Sequence, residues 1–278
     1  MIGVPVPDTR QTAPPPPAWE PSRLPDGGLN TSRPSTARIY DHLLGGKDNF
    51  AADREAADEL VATAPEVVAL AVANRYFAAR AAAYCATAVD QIIDLGPGLP
   101  TPPTVAGAAR QVHPDISVIG VDNDPVVLAH GAALAHGARL IAGDITQPEE
   151  LVRDLHPYCD FTRPVALIAA AVLHFVPGHP ASLLRIWREV LAPGSLLVVS
   201  HVTGDGVPSE TADKVRKVYE RSAAPAVFRT EQEIAAMFAG LELVSPGLVD
   251  VQRWRPDGIA RPVAGMRLLG GVGRVTRP

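Results

Sequence analysis

The spacing of hydrophobic residues divides the chain into a helical first part and an alternating second part. Between residues 35 and 89, apolar side chains recur at helical intervals and predict three helices, over 35–44, 53–63 and 65–89. The pair Gly45-Gly46 ends the first of them. From Gln91 onward, short apolar runs typical of buried strands alternate with helices. The predicted strands are Gln91–Leu95, Ser117–Val121, Arg139–Ala142, Val165–Val172 and Ser195–Val202, and the helices between them are Val105–Val112, Pro125–His136, Pro148–Leu155 and Ala181–Leu191.

This alternation predicts an α/β fold, in which a mostly parallel, doubly wound sheet carries helices on both faces. After the fifth strand, a charged helix is expected over 209–223. Thr230 then begins a helix that reaches Phe238, and Glu233 stands at the spacing of a capping box. Two short strands, over 241–249 and 266–275, complete a predicted sheet of seven strands.

The domain organisation follows from the same pattern. Residues 1–34 hold nine prolines, which lack an N–H and fix φ, so a disordered tail is expected there. The alternative is a proline-rich ligand for a partner domain. Residues 35–88 are predicted to form a helical cap, and residues 89–278 the core that contains the sheet. The apolar stretch Val67–Val89 carries two arginines, which excludes a membrane span.

Composition narrows the classes of function. The 25 basic and 30 acidic residues give a net charge of −5, which argues against a nucleic-acid partner bound over a basic surface. Two cysteines, Cys85 and Cys159, supply neither a disulfide framework nor a four-ligand zinc site, and no metal is expected. Since no signal-like segment precedes the cap, a cytoplasmic protein without a membrane partner is expected.

Glycines and acids mark the predicted ligand site. Asp94, Asp122 and Asp144 each stand at the end of one of three consecutive strands, where ligands of open α/β sheets bind. The loop Asp94-Leu95-Gly96-Pro97-Gly98 allows close approach of the backbone, but prolines 97, 100, 102 and 103 have no N–H to offer a diphosphate. Thr101 also replaces the third glycine of a dinucleotide loop. A cationic, phosphate-free ligand such as S-adenosylmethionine (SAM) is therefore favoured.

The three acids have both ligand-binding and structural interpretations. Asp122 is placed to accept both ribose hydroxyls, and Asp144, after Gly143, to meet the adenine amino group. Alternatively, Asp94 caps the loop, Asp122 caps the helix at Pro125, and Asp144 caps a turn. Their joint position at three strand ends is more specific than any one of them alone.

Several segments match the motifs of one family. They are Pro34–Arg54, Asn74-Arg75, Asp94–Thr101, Val121–Pro125, Val172–Val176, Ser200-His201, Trp254–Pro256 and Gly270–Arg274. Over about residues 34–275, the chain resembles a family of SAM-dependent methyltransferases once catalogued only as a domain of unknown function. The resemblance implies a Rossmann-like class I methyltransferase fold with an N-terminal helical cap and SAM as cofactor, but it implies no particular acceptor.

The cap supplies candidates for the methionine end of SAM. Lys47 and Arg75 are placed to meet its carboxylate, and Asn49 its carboxylate or ammonium. Tyr40 and Phe50 offer aromatic faces to the sulfonium. The alternatives are a surface charge for Lys47, a core position for Phe50 and a structural ion pair for Arg75. The predicted cofactor contacts are Tyr40, Lys47, Asn49, Arg75, Asp94, Gly96, Gly98, Asp122, Asn123, Gly143, Asp144, Ile145 and Ala171.

Methyl transfer mainly requires positioning, with a general base where the nucleophile needs one. His174 and His201, predicted to follow the fourth and fifth strands, and Tyr40 are the candidate catalytic residues. Structural histidines, with positioning alone as catalysis, are the alternative. The fourth strand carries Ala169–Val172 instead of the Asn/Asp-Pro-Pro-Tyr pattern of amide and ring-nitrogen methyltransferases, which favours a small-molecule acceptor. A SAM-binding regulator without turnover and a nicotinamide-dependent oxidoreductase are the competing hypotheses.

Overall fold

The structure, a computed structural model, describes residues 30–134, 139–258, 263 and 265–276. Most of the predicted tail, the end of the predicted helix at His136 and the last two residues lie outside the described residues. The helices are α1 Thr36–Leu43, α2 Ala51–Thr63, α3 Val67–Cys85, α4 Val105–Val112, α5 Pro125–Leu134, α6 Pro148–Leu155, α7 Pro180–Val190, α8 Ser209–Glu220 and α9 Glu231–Ala236.

The strands follow the predicted alternation through the first five. They are β1 Gln91–Leu95, β2 Ser117–Asp122, β3 Arg139–Ala142, β4 Ala166–Ala170, β5 Leu196–Thr203, β6 Glu242–Leu243, β7 Val249–Asp250 and β8 Arg267–Arg274. One sheet runs in the order β3-β2-β1-β4-β5-β8-β6, and β7 also pairs with β8. Strands β1 to β5 are parallel, and β8 runs antiparallel to β5, β6 and β7. The predicted α/β class is confirmed.

The sheet has eight strands instead of the expected seven, because the segment predicted as one strand over 241–249 forms two. After β6, Val244 still donates its N–H to Val272 O at 2.9 Å. Pro246 then has no N–H to continue the ladder, and Gly247 takes a left-handed φ of +90°. The chain turns there and rejoins β8 only at β7.

Local caps explain where two helices begin. The predicted capping box is present, since Thr230 N donates to Glu233 Oε2 at 2.8 Å and Glu233 N to Thr230 Oγ1 at 3.2 Å. Helix α2 begins at Ala51, two residues before the predicted start. The reason is that the Asp53 carboxylate accepts from Phe50 N at 2.9 Å and so caps the first turn from inside the helix.

Both faces of the sheet are covered, as consecutive buried residues of its strands show. Ile92 and Leu196 share one hydrophobic cluster with residues of α1 to α4, whereas Ile93 and Leu197 share another with residues of α6 and α7 and with Met237 and Phe238, just after α9. The cap shares one hydrophobic cluster with the first of these faces. The domain boundary at 88/89 stays a prediction. The sheet leaves a crevice at the carboxyl ends of β1, β2 and β4, where the strand order reverses.

Candidate active site

A cavity of about 580 Å³ lies at the carboxyl ends of the parallel strands, under the cap. This volume falls within the range of about 300–1,000 Å³ that small-molecule sites occupy. Four carboxylates at or just after the ends of β1, β2 and β3 line it, and we call them the acidic wall: Asp94, Asp122, Asp124 and Asp144. Seven apolar residues from the segments 170–176 and 223–224 also line it, and we call them the apolar wall: Ala170, Ala171, Val172, Phe175, Val176, Ala223 and Ala224.

The loop after β1 brings its backbone close to the cavity. Gly96 and Gly98 have φ values of +65° and +64°, a left-handed conformation that favours glycine. A Cβ on Gly96 would lie 2.5 Å from Val172 Cγ2, so a larger residue would displace the start of the apolar wall. Both predicted glycines line the cavity.

Asp122 ends β2 with a side chain that is only 7% exposed. Its Oδ2 accepts from Gly98 N at 3.1 Å and its Oδ1 from Asp124 N at 2.9 Å. Burial raises the pKa of Asp122 to about 6. The helix that follows is capped by Asp124, whose Oδ1 accepts from Val126 N at 2.8 Å. The structure therefore gives the capping role to Asp124 and leaves Asp122 against the cavity.

Asp94, before the glycine loop, and Arg75, in the cap, line the same cavity and interact electrostatically. Burial raises the pKa of Asp94 to about 7, the charge of Arg75 opposes that rise, and Asp122 adds to it. Nε of Arg75 is buried and has no hydrogen-bond partner among the described residues. The Arg75 guanidinium carbon lies 5.3 Å from the centre of the Tyr40 ring. Arg75 thus lines the cavity and also has a buried donor that no described residue satisfies.

Asp144 both caps a turn and lines the cavity, so the structure is consistent with both interpretations of this residue. Its Oδ1 accepts from both the N–H and the Oγ1 of Thr146 at 2.8 Å, which forms a turn, and the residue also lines the cavity. Its neighbour Gly143 has no space for a side chain, since a Cβ there would lie 2.4 Å from Leu151 Cδ2. The predicted contacts Asn123, Ile145 and Ala171 line the same cavity.

Two predicted cofactor contacts do not reach the cavity. Lys47 is exposed, and neither it nor Asn49 is among the residues that line the space. Asn49 Nδ2 donates to Asp41 Oδ2 at 2.9 Å and to Gly46 O at 3.1 Å, so it braces the loop between α1 and α2. Phe50 packs with the small cluster around Leu99, a core position. Of the two residues predicted to meet the carboxylate, Arg75 lines the cavity and Lys47 does not.

The two histidines lie behind the apolar wall. His201 stands within β5, because pairing with β8 continues to Thr203, and not after the strand as expected. Its Nε2 accepts from Arg229 Nη1 at 2.8 Å, its Nδ1 lies 2.7 Å from Val202 O, and burial lowers its pKa to about 4. His174 is buried 5.4 Å from the His201 ring, and burial lowers its pKa well below the usual value. Neither imidazole lines the cavity.

Sequence reasoning did not single out a buried ionic cluster that holds the segment at the cavity. Asp53 is fully buried and accepts from Ser35 N at 2.9 Å and from Arg38 Nε at 2.8 Å. Ser35 Oγ donates in turn to Asp124, and both Ser35 and Arg38 line the cavity. The signal in the sequence is the block Pro34–Arg54, which contains all three residues and matches the family without indicating a role for any of them.

Comparison with known proteins agrees with this geometry. The profile of the S-adenosyl methyltransferase family matches residues 23–276. A crystal structure of a candidate methyltransferase from Thermobifida fusca YX has a TM-score of 0.83 and 34% identity, and the match covers 92% of this chain and 100% of that one. A DUF574 family protein from Streptomyces avermitilis MA-4680 has a TM-score of 0.82 and 34% identity, with 88% and 98% covered.

A third structure supports the fold alone. The plantazolicin methyltransferase BamL, in complex with a triazolic desmethylPZN analog and S-adenosylhomocysteine (SAH), has a TM-score of 0.50 at 10% identity, with 86% of this chain and 96% of that one covered. No curated protein matches the chain.

The chain belongs to the S-adenosyl methyltransferase family. It is a SAM-dependent methyltransferase with a Rossmann-like fold, and the predictions of family, enzyme class and cofactor are confirmed. The nicotinamide alternative has no support. In the described part of the chain, no helix has both the length and the apolar character that crossing a membrane requires.

Proposed function

We propose that this methyltransferase acts on a small-molecule acceptor with an apolar body, bound against the apolar wall. The observation that carries the proposal is that one cavity is lined both by carboxylates at the ends of β1 to β3 and by a set of apolar residues after β4 and after α8. Because β4 lies beside β1 in the sheet, the apolar wall adjoins the glycine loop. Val227 N donates to His174 O at 2.7 Å, which ties the segment after Ala224 to the turn that follows β4.

The residues of the acidic end suit SAM. Arg75 offers its unpartnered buried Nε to the carboxylate of the methionine end. Asp94, beside it, suits the ammonium, and Asp122 at the end of β2 suits the ribose hydroxyls. Asp144, which also lines the cavity, is the residue proposed to accept from the adenine amino group. Gly96 and Gly98 line the cavity without a side chain, which leaves room for a ligand beside the loop.

Catalysis in this proposal rests on positioning and on the exclusion of water. When bound, SAM would supply a methyl group on a positively charged sulfur. A nucleophile would attack the methyl carbon in line with the carbon–sulfur bond, and SAH would leave. The apolar wall removes water from the acceptor and orients it. None of the described residues that form this wall carries a titratable group. Arg33, which also lines the cavity, donates to Ser222 O at 2.6 Å and cannot accept a proton.

We infer that the acceptor brings a lone pair that needs no enzyme base, because neither histidine lines the cavity and burial raises the pKa of Tyr40, the other candidate. A neutral amine, a thiolate or a phenolate meets this requirement. His201 has its Nε2 lone pair engaged by Arg229, and His174 is enclosed behind the wall. We infer that both histidines are structural.

Methyl transfer from methyl-labelled SAM into a metabolite extract tests this proposal. The label should appear in low-mass, solvent-extractable compounds, and the Asp122→Asn enzyme serves as the control with a weakened cofactor site. Label in acid-precipitated protein or nucleic acid would overturn the small-molecule proposal. Labelled products that stay in the aqueous phase at both acidic and alkaline pH would overturn its apolar part.

A further inference from the structure

A chain of buried hydrogen bonds connects the cap to the apolar wall. The Tyr40 hydroxyl donates to Ala71 O at 2.9 Å, and Asn74 Nδ2 donates to the Tyr40 oxygen at 2.9 Å. Asn74 Oδ1 accepts from Ser200 Oγ at 2.5 Å, and Ser200 Oγ accepts from Ala171 N at 2.9 Å. Asn74 is 3% exposed and Ser200 is fully buried. The four links join α1, α3 and β5 to the residue that follows β4.

The direction of every proton in this chain is fixed. A carbonyl oxygen only accepts, so the Tyr40 hydroxyl donates to Ala71 O and its oxygen is left to accept from the Asn74 amide. The Asn74 oxygen then faces Ser200, which donates to it. Ser200 then receives the Ala171 N–H with two acceptors, its Oγ at 2.9 Å and its main-chain oxygen at 3.2 Å. Burial raises the pKa of Tyr40, which keeps its proton in place.

Ala171, at the end of this chain, has an unusual backbone. Its φ is +53°, in the left-handed region that a residue with a Cβ seldom adopts, and it lines the cavity. Such conformations persist where surrounding contacts hold them, and they cluster at ligand sites. The next residue, Val172, stands against Gly96. A shift of the Ala171 peptide would therefore reach the glycine loop.

We propose that Asn74 and Ser200 are positioning residues for SAM, and that Tyr40 anchors their hydrogen-bond chain and takes no part in proton transfer. They hold the Ala171 peptide in its left-handed conformation and thereby fix the junction between the apolar wall and the glycine loop. The proposal concerns cofactor binding, so it does not depend on which acceptor the enzyme methylates.

The same strand offers a matched control. Ser195, just before β5, is also fully buried, and its Oγ accepts from Val165 N at 3.0 Å, just before β4. Ser195 and Ser200 thus support the two ends of one neighbouring strand with the same type of bond. Only Ser200 lies at the end that borders the cavity.

Titration calorimetry with SAH, together with thermal unfolding, tests the proposal on the full-length protein. Ser200→Ala should weaken SAH binding at least fivefold, Ser195→Ala should change it less than twofold, and both should lower Tm to a similar extent. Equal losses of affinity for the two variants would overturn the proposal, as would a folded Ser200→Ala protein with less than a fivefold loss.

A double-mutant cycle separates positioning from general loosening of the core. Glycine adopts the left-handed backbone without restraint, so in the Ala171→Gly background the effect of Ser200→Ala on SAH affinity should shrink to less than half its fold-change. The same fold-change in both backgrounds would overturn the proposal. If Ser200→Ala does not fold, Tyr40→Phe, which removes only the terminal hydroxyl, should weaken SAH binding at least twofold, and unchanged affinity would count against the chain.

Discussion

The acidic wall and the apolar wall line the same cavity and are built in opposite ways. Asp94 and Asp122 are buried charges whose pKa values burial raises, and Arg75 faces them with an unsatisfied donor. The apolar wall has only small or aliphatic side chains and one phenyl ring. Within the acidic wall, Asp94 and Asp122 are desolvated groups that a charged ligand would complete, whereas the apolar wall gains only from burial of apolar surface.

The difference teaches where specificity resides. Buried polar groups reject a ligand that cannot pair with them, whereas an apolar pocket discriminates only weakly between similar ligands. We therefore expect strict recognition of SAM and tolerance toward related acceptors. The following predictions test the contrast from the largest expected effect to the smallest.

Asp122→Ala should weaken SAH binding ten- to hundredfold. The substitution removes a proposed contact to the ribose hydroxyls and also the acceptor of Gly98 N, so the loop loses its anchor. Titration calorimetry measures the effect. Affinity within threefold of the wild type, for a folded variant, would mean that the acidic wall does not hold the cofactor.

Asp94 should make the ligand-free protein less stable as pH rises. Its folded-state pKa, raised to about 7, means that the folded protein binds this proton more tightly than the unfolded chain does. Between pH 5.5 and 8, the folded protein holds this extra proton over about 1.5 pH units, and at about 1.4 kcal/mol for each pH unit its loss should remove about 2 kcal/mol from the free energy of unfolding.

The Asp94→Asn variant lacks this titration and provides the comparison. Relative to the wild type, its free energy of unfolding should increase between pH 5.5 and pH 8. Denaturant unfolding at the two pH values measures the change. A constant difference between the two proteins would show that Asp94 titrates as an ordinary surface carboxyl does.

Ala224→Asp should reduce methyl incorporation from a metabolite extract about tenfold and leave SAH affinity within twofold. The new carboxylate would stand on the apolar wall, where an apolar acceptor would have to desolvate it. Labelled SAM measures incorporation, and calorimetry measures affinity. A parallel loss of SAH affinity would show that the two walls do not separate cofactor from acceptor.

Asp144→Ala should weaken SAH binding two- to threefold, the smallest effect. Asp160 is a matched control, since its Oδ1 accepts from Thr162 N and Oγ1 in the same kind of turn but does not line the cavity. Asp160→Ala should leave SAH affinity unchanged. Equal effects of the two substitutions on affinity would assign Asp144 to the turn alone.

The sheet and the acidic wall could be predicted from the sequence because both depend on local patterns. Apolar runs and glycines mark the strand ends, and Asp94, Asp122 and Asp144 occupy them. The hydrogen bond between Ser200 and Asn74 could not be predicted from local patterns, since the two residues lie 126 positions apart and meet only through packing. The same holds for Arg229, whose buried guanidinium donates to Val176 O and Gly178 O.

Lys47 and Asn49 show a second limit of local patterns. They follow Gly45-Gly46, in a loop whose side-chain directions depend on its neighbours and not on a helical period. Asp41 takes the Asn49 amide and the N–H of Asp48, which fixes the loop away from the cavity. In the block Pro34–Arg54, the buried residues Ser35, Arg38 and Asp53 form the hydrogen bonds that hold the segment at the cavity.

The unpartnered Nε of Arg75 has a consequence for the competition among adenosine compounds in a cell. Nucleosides such as 5′-methylthioadenosine share the purine and the sugar with SAM but end before the carboxylate. Such a molecule in the cavity would leave Nε of Arg75 buried without a partner, and it would lack the proposed ion pair between Arg75 and the carboxylate. We expect such nucleosides to be weak inhibitors of the enzyme compared with SAH, which retains the carboxylate.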